Sequence, residues 1–319
     1  MALAVRFYDQ QPDSACDSLR EDVLRSLAAE VKAIPPKYFY DQRGSELFEA
    51  ITGTPEYYPT RTEQRILTEA ASDIAAIAGP DATLMELGSG ASRKIRLLLE
   101  TMRPSSYLGV DISREFLLAS TRQLAADYPW LDVSALCTDF TQPMMLPSII
   151  GNKPILAFFP GSSIGNFTPV EARSFLRNLH RLLPPGSGLL IGVDLIKSKS
   201  RLEAAYNDAE GITAAFNLNL LERIRREIDT DLDPSRFSHY AFYNEQQSRI
   251  EMHLVSRRAQ TVRVEDQRFM FRQGETLHTE NSYKYSLKSF EAISQEAGFL
   301  PIAAWKDPAE LFSVHYLGR

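Results

Sequence analysis

The sequence predicts an α/β protein: a doubly wound parallel sheet with a second, α+β unit. Three observations carry this. Between residues 83 and 194, short apolar runs alternate with amphipathic helical stretches, the pattern of a parallel sheet. The first run ends in Glu86-Leu87-Gly88-Ser89-Gly90, where a strand turns into a helix through two glycines. After Asp194 the alternation stops, and a helical region followed by period-two strands reads as an insertion before the α/β pattern resumes.

Taken in order, residues 18–33 read as an amphipathic helix, with Ser18 and Glu21 as a capping box and Leu19, Val23, Leu24, Leu27 and Val31 on one face. Pro35-Pro36 ends it. Two aromatic loops follow, Tyr38-Phe39-Tyr40-Asp41 and Tyr57-Tyr58-Pro59. Thr60 and Glu63 are placed to cap the next helix, whose apolar side carries Ile66, Leu67, Ala70, Ile74 and Ile77. Strands are expected at 83–87, 106–111, 131–137, 154–159 and 188–194, and helices at 93–102, 114–128 and 169–183, the last opened by Pro169. Residues 202–228 read as helical, and 249–256 and 261–272 as antiparallel strands. A helix at 287–297 and strands at 299–305 and 311–317 close the α/β part.

Composition narrows the function. The 319 residues are 44% apolar, enough for a real core, and the net charge of −6 argues against a general nucleic-acid binder. No apolar run approaches the roughly 18 residues of a membrane span, and the N-terminus turns polar too soon for a signal peptide. Cys16 and Cys137 make neither a disulfide framework nor a zinc site, which fits reduced thiols in a cytoplasmic protein. The five histidines lack metal-ligand spacing, so no metal is expected.

The glycine turn is where the chemistry begins. Gly88 and Gly90 have no Cβ and let backbone approach a ligand, and amides at the following helix start can meet a polar group. Asp111 ends the next apolar run, Tyr107-Leu108-Gly109-Val110-Asp111, where a carboxylate can take two ribose hydroxyls. A dinucleotide site wants a third glycine, and that position is Arg93. An adenosine site without a pyrophosphate therefore fits better than a nicotinamide site, though a nicotinamide-dependent oxidoreductase and a non-catalytic binder both stay open. Cys137-Thr138-Asp139-Phe140 follows the third strand: Asp139 can accept from an adenine amino group and Phe140 can stack on the ring, or the segment is a capped loop. Asn166, after the fourth strand, can bind both carboxylate and amine, or form a turn. Glu280 and Ser282 point the same way in an extended strand, either as a polar grip for a ring with N–H groups or as a solvent-facing surface.

The segments Pro36-Lys37-Tyr38-Phe39-Tyr40-Asp41, Arg43-Gly44-Ser45-Glu46-Leu47-Phe48, Pro55-Glu56-Tyr57-Tyr58-Pro59-Thr60-Arg61, Glu86-Leu87-Gly88-Ser89-Gly90, Gly161-Ser162-Ser163-Ile164-Gly165-Asn166, Ala205-Tyr206-Asn207-Asp208, Ile250-Glu251-Met252 and Thr279-Glu280-Asn281-Ser282 resemble the histidine N-alpha-methyltransferase family of ergothioneine biosynthesis. The resemblance runs from about residue 19 to the end. It implies a Rossmann-like methyltransferase core (62–196 plus 287–319) and a substrate-binding domain (1–61 plus 197–286). It implies cofactor contacts to S-adenosylmethionine from Gly88, Lys94, Asp111, Asp139 and Phe140. It implies that Tyr57, Gly161, Asn166 and Tyr206 hold the amine and carboxylate of L-histidine, that Glu280 and Ser282 hold its imidazole, that Met252 lines the ring pocket, and that Tyr40 lies near the amine as the catalytic candidate. The implied product is trimethylated hercynine. Another aromatic amino acid or a histidine derivative is the alternative substrate. The enzyme is expected to be a cytoplasmic monomer with no nucleic-acid or membrane partner.

Overall fold

A computed structural model describes residues 5–10, 15–90, 94–151 and 153–319. The chain forms two compact units, Met1–Gln11 with Pro59–Ile196 and Lys284–Arg319, and Pro12–Tyr58 with Lys197–Tyr283.

The first unit is built on an eight-stranded sheet. Its parallel strands are β1 (Arg6–Asp9), β2 (Thr83–Leu87), β3 (Ser106–Asp111), β4 (Asp132–Cys137), β5 (Ile155–Phe159) and β6 (Gly188–Asp194). Strand β13 (Phe312–Gly318) runs antiparallel to both β6 and β12 (Leu300–Lys306). The order is β1-β4-β3-β2-β5-β6-β13-β12. Successive strands step one way from β2 and then the other way from β5, so the order reverses between them. Open α/β sheets bind ligands at such a switch, outside the carboxyl ends of the strands.

Every residue of β2, β5 and β6 is buried. Strands buried along their whole length belong in a sheet covered on both faces. Helices α3 (Tyr58–Ala78), α4 (Ile95–Met102), α5 (Arg114–Asp127), α6 (Pro169–Leu182) and α9 (Leu287–Glu296) belong to this α/β pattern. Ile66, Leu67, Ile74, Leu84, Leu98, Leu99, Phe158 and Leu190 share one core, each fully buried side chain contributing about 1.5–3 kcal/mol.

The expected core elements match within one or two residues. The departures have physical reasons. The N-terminal strand β1 pairs with β4 and extends the core sheet, whereas the resemblance places residues 1–61 in the substrate-binding domain. Four residues are too short for a periodic signal, and only the open edge of β4 makes them a strand. The first helix, α1 (Ala15–Ala28), begins before Ser18, so the expected cap is internal to it; the side chain of Ser18 lies outside the described residues. Val31 falls past the helix end and is exposed. Glu63 is not a cap but a fully buried side chain within α3.

In the second unit, α2 (Gln42–Thr52) is capped by Asp41, whose side chain accepts from the Gly44 amide at 2.6 Å. Residues 202–228 form two helices rather than one, α7 (Lys199–Tyr206) and α8 (Ile212–Glu227). They are separated at Gly211, and the Asp208 carboxylate accepts from the Ile212 and Thr213 amides. A three-stranded antiparallel sheet has the order β11 (Thr276–Tyr283), β8 (Arg249–Ser256), β7 (Phe237–Asn244). The expected strand at 261–272 is a hairpin, β9 (Gln260–Val264) and β10 (Gln267–Phe271). No helix among the described residues is long and apolar enough to cross a membrane.

Candidate active site

In the core, β2 delivers the chain to Gly88 (φ 69°) and Gly90 (φ 45°), both in the left-handed region that side chains disfavour. The Gly88 and Ser89 amides donate to the Val110 carbonyl at 2.8 and 3.1 Å, which ties the turn to β3. Asp111 ends β3. Its carboxylate accepts from the Gly90 amide at 3.1 Å and from the Ser113 amide at 2.8 Å. Burial pushes its pKa up, and the amides of Ser113, Gly90 and Ile112 oppose that shift. A carboxylate has about four acceptor sites, so these amides leave capacity for a hydroxyl.

Phe140 reaches the same turn. A Cβ built on Gly88 lies 3.7 Å from its ring, and the ring packs edge-on against Phe159 and Phe175. Asp139 forms the turn after β4, with one carboxylate oxygen accepting from the Thr141 amide and hydroxyl. These bonds make a capped loop, one of the two readings that the sequence allows; the adenine contact is the other. Arg93, used to set aside a dinucleotide site, lies outside the described residues.

Lys94 pairs with Glu63. The same carboxylate accepts from the Gly161 amide, at 3.0 and 2.9 Å to its two oxygens. Glu63 is thus the shared partner of a cofactor candidate and a substrate candidate, a role that its cap-like place in the sequence does not reveal. Gly192 on β6 makes room for it: a Cβ there would sit 2.0 Å from the Glu63 carboxylate. Asn166 closes a short 3-10 turn, Ser163–Asn166, between β5 and the Thr168 capping box of α6. The Ser162 hydroxyl accepts from the Asp194 amide at 2.9 Å and fixes that turn to β6.

In the second unit, β11 and β8 bring the ring candidates together. Glu280 stands opposite Met252, and Ser282 opposite Ile250. Opposite residues of an antiparallel pair share a face with Cβ atoms about 4.5–5.5 Å apart. Glu280 is 9% exposed, Ser282 4% and Met252 1%, so this is not a solvent-facing strand surface. The Tyr206 hydroxyl donates to the Ser282 hydroxyl oxygen at 2.7 Å. Tyr57 meets Tyr206 edge-on at 6.4 Å, and Tyr40 packs edge-on against Phe48 and Phe216. The sequence assigns no role to Phe48 or Phe216, because each looks like an ordinary apolar helix residue.

The other face of β8 and β11 carries Glu251, His253 and His278, with potential metal-ligand atoms within 4.8 Å of one another. The sequence reading expected no such group, because His253 and His278 meet only through strand register. Glu251 there accepts from Arg249 at 2.8 Å and Asn244 at 2.9 Å. The adjacent guanidinium already balances its charge and opposes a further cation.

Residues 19–319 match the family of S-adenosylmethionine-dependent, histidine-specific methyltransferases. The chain is 43% identical over 308 residues to a histidine N-alpha-methyltransferase of Mycolicibacterium smegmatis, covering 95% of each chain. It is 39% identical over 304 residues to the protein of that name from Mycobacterium tuberculosis, covering 93% of this chain and 94% of that one. It is 32% identical over 299 residues to ergothioneine biosynthesis protein 1 of Neurospora crassa, covering 90% of this chain and 33% of that longer one. With the glycine turn, Asp111 and the buried Glu280–Ser282 face in place, the chain belongs to the S-adenosylmethionine-dependent, histidine-specific methyltransferase family.

Proposed function

We propose that this protein trimethylates the α-amino group of L-histidine to hercynine, as a monomeric cytoplasmic enzyme of ergothioneine biosynthesis. The observation that carries the reading is the face shared by Glu280, Ser282 and Met252, with Tyr206 bonded to Ser282, in a chain of this family. Imidazole has two ring nitrogens, and a carboxylate with a hydroxyl two residues away matches both. An indole offers one N–H, which disfavours tryptophan.

The core residues suit S-adenosylmethionine, which when bound supplies an electrophilic sulfonium methyl. The positive-φ glycines leave backbone open to a ligand, Asp111 takes the ribose hydroxyls, and Phe140 beside Gly88 covers the adenine. Asp139 accepts from the adenine amino group, and Lys94 contributes a cofactor contact. Tyr57, Gly161, Asn166 and Tyr206 hold the amine and carboxylate of histidine. The nucleophile is the neutral amine, so a proton leaves before each transfer. Tyr40, whose ring packs on Phe48 and Phe216, faces the amine and stabilises the growing ammonium by roughly 0.5–2 kcal/mol. The protein's main contribution is positioning, worth about 7–11 kcal/mol for well-aligned reactants.

The test offers the twenty amino acids with S-adenosylmethionine and follows products by mass spectrometry. Mono-, di- and trimethylated histidine with no other methylated amino acid is expected. Methylation of a different amino acid at a comparable rate refutes the substrate assignment.

A further inference from the structure

We infer that Asn217 is a positioning residue that holds the ring-reading strand and Tyr206 in one arrangement. The inference rests on the reading that Glu280, Ser282 and Tyr206 meet histidine.

Asn217 lies inside α8 and is fully buried. An asparagine is a poor choice for a helix interior, and burying its amide costs stability unless both ends are bonded. Here both ends are. Its Nδ2 donates to His239 Nδ1 at 2.9 Å and to the His253 carbonyl at 3.1 Å. Its Oδ1 accepts from the Thr279 hydroxyl at 2.8 Å. The His253 carbonyl fixes the amide's orientation, because the flipped amide would set one oxygen against another.

Each arm ends beside a candidate site residue. Thr279 is the residue at which the β11–β8 register shifts, between His278 and Glu280. A bulge re-aims the side chain that follows it. The Thr279 hydroxyl also lies 3.1 Å from the carbonyl of Met252, directly opposite Glu280. Asn217 therefore clamps the bulge that sets the direction of Glu280. Along the other arm, His239 Nε2 lies 2.9 Å from the Tyr206 carbonyl oxygen. With Nδ1 accepting from Asn217, Nε2 carries the hydrogen and donates to that carbonyl. Burial keeps His239 neutral by lowering its pKa, which this tautomer requires. Tyr206 then reaches back to Ser282 through its hydroxyl. One side chain thus joins both carriers of the ring grip, through sheet and helix.

The experiment compares Asn217→Ala, Thr279→Val and Glu280→Ala with the parent. Histidine KM and kcat, S-adenosylmethionine affinity by calorimetry, and the unfolding midpoint are measured for each. Asn217→Ala is expected to raise the KM for histidine roughly ten-fold or more, with cofactor affinity and stoichiometry unchanged, as for loss of a bond that organises a charged acceptor. Thr279→Val removes only the bulge arm at nearly constant volume and should reproduce part of that rise. The double variant should be less than additive, because both changes cut one network. A purely structural residue would lower the active fraction and kcat while leaving KM where it was, and that result overturns the inference. If Asn217→Ala does not fold, Thr279→Val decides alone: an unchanged KM overturns it. Loss at Glu280→Ala without loss at Asn217 or Thr279 refutes this inference only. No loss at Glu280→Ala refutes the reading beneath it, and this inference with it.

Discussion

The two units organise their candidate residues by opposite electrostatic means. In the core, one buried charge does it: Glu63 pairs with Lys94 and accepts from the Gly161 amide. In the second unit a neutral amide does it: Asn217 links Thr279, His239 and the His253 carbonyl. A charged organiser gives stronger bonds, but it loses heavily when one partner is removed, since the other is left buried and unpaired. A neutral organiser holds direction through donor and acceptor pattern, with a smaller penalty for each lost bond. The core therefore tolerates little change at its charge centre. The β11-β8-β7 sheet is instead tuned by hydrogen-bond direction.

The largest expected effect therefore lies at Glu63. Glu63→Ala leaves Lys94 without its ion-pair partner and the Gly161 amide without its acceptor. It should destabilise the protein by about 3–5 kcal/mol, the range for breaking a buried pair. Gly192→Ala should approach it, since the added methyl would overlap the carboxylate. Urea unfolding of both variants measures this, and midpoints near that of the parent would erase the proposed contrast between the units.

Next is the cofactor. Asp111→Ala removes acceptors for the ribose and should weaken S-adenosylmethionine binding by about 1.5–3 kcal/mol, as for hydrogen bonds to a charged group. Calorimetry reads it directly, and unchanged affinity would release Asp111 to a purely structural role at the Gly90 and Ser113 amides.

Specificity follows. Glu280→Ala should lower kcat/KM for histidine by roughly ten- to hundred-fold, because a site built for a polar ring is left with unpaired groups. Adding Met252→Val on the same face should raise tryptophan relative to histidine. A histidine-to-tryptophan ratio that stays constant in parent, single and double variants would mean that this face does not read the ring.

The smallest effect concerns pH. Burial lowers the His239 pKa below its ordinary 6.5, so the unfolded chain takes up the proton first as the medium is acidified. The stabilisation is complete above about 6.5 and is lost as the pH falls through the lower folded value. Protonation also puts a hydrogen on Nδ1, where Asn217 already donates. Protection factors of the β11 amides around Thr279, corrected for the intrinsic pH dependence of exchange, should fall below that pH in the parent and less in His239→Gln. An equal fall in both would remove His239 from the network.

The core elements, the glycine turn with Asp111, and the shared strand face of Glu280 and Ser282 can be read from the sequence alone. These are legible because they rest on local periodicity: a strand repeats every two residues, a buried strand is apolar throughout, and glycine marks a left-handed turn. The family resemblance implies the proposed roles of residues such as Tyr57, Tyr206 and Lys94, which periodicity alone could not separate from ordinary packing residues. Only the tertiary structure decided what stands opposite what. It made Glu63 a buried partner of Lys94 rather than a helix cap, turned Arg6–Asp9 into a strand of the core sheet, and set Asn217 against Thr279 and His239. Each of those outcomes depends on residues far apart in the chain. A side chain's own sequence neighbours fix its secondary structure, but its bonding partner is fixed by which distant segment the fold brings within about 3 Å.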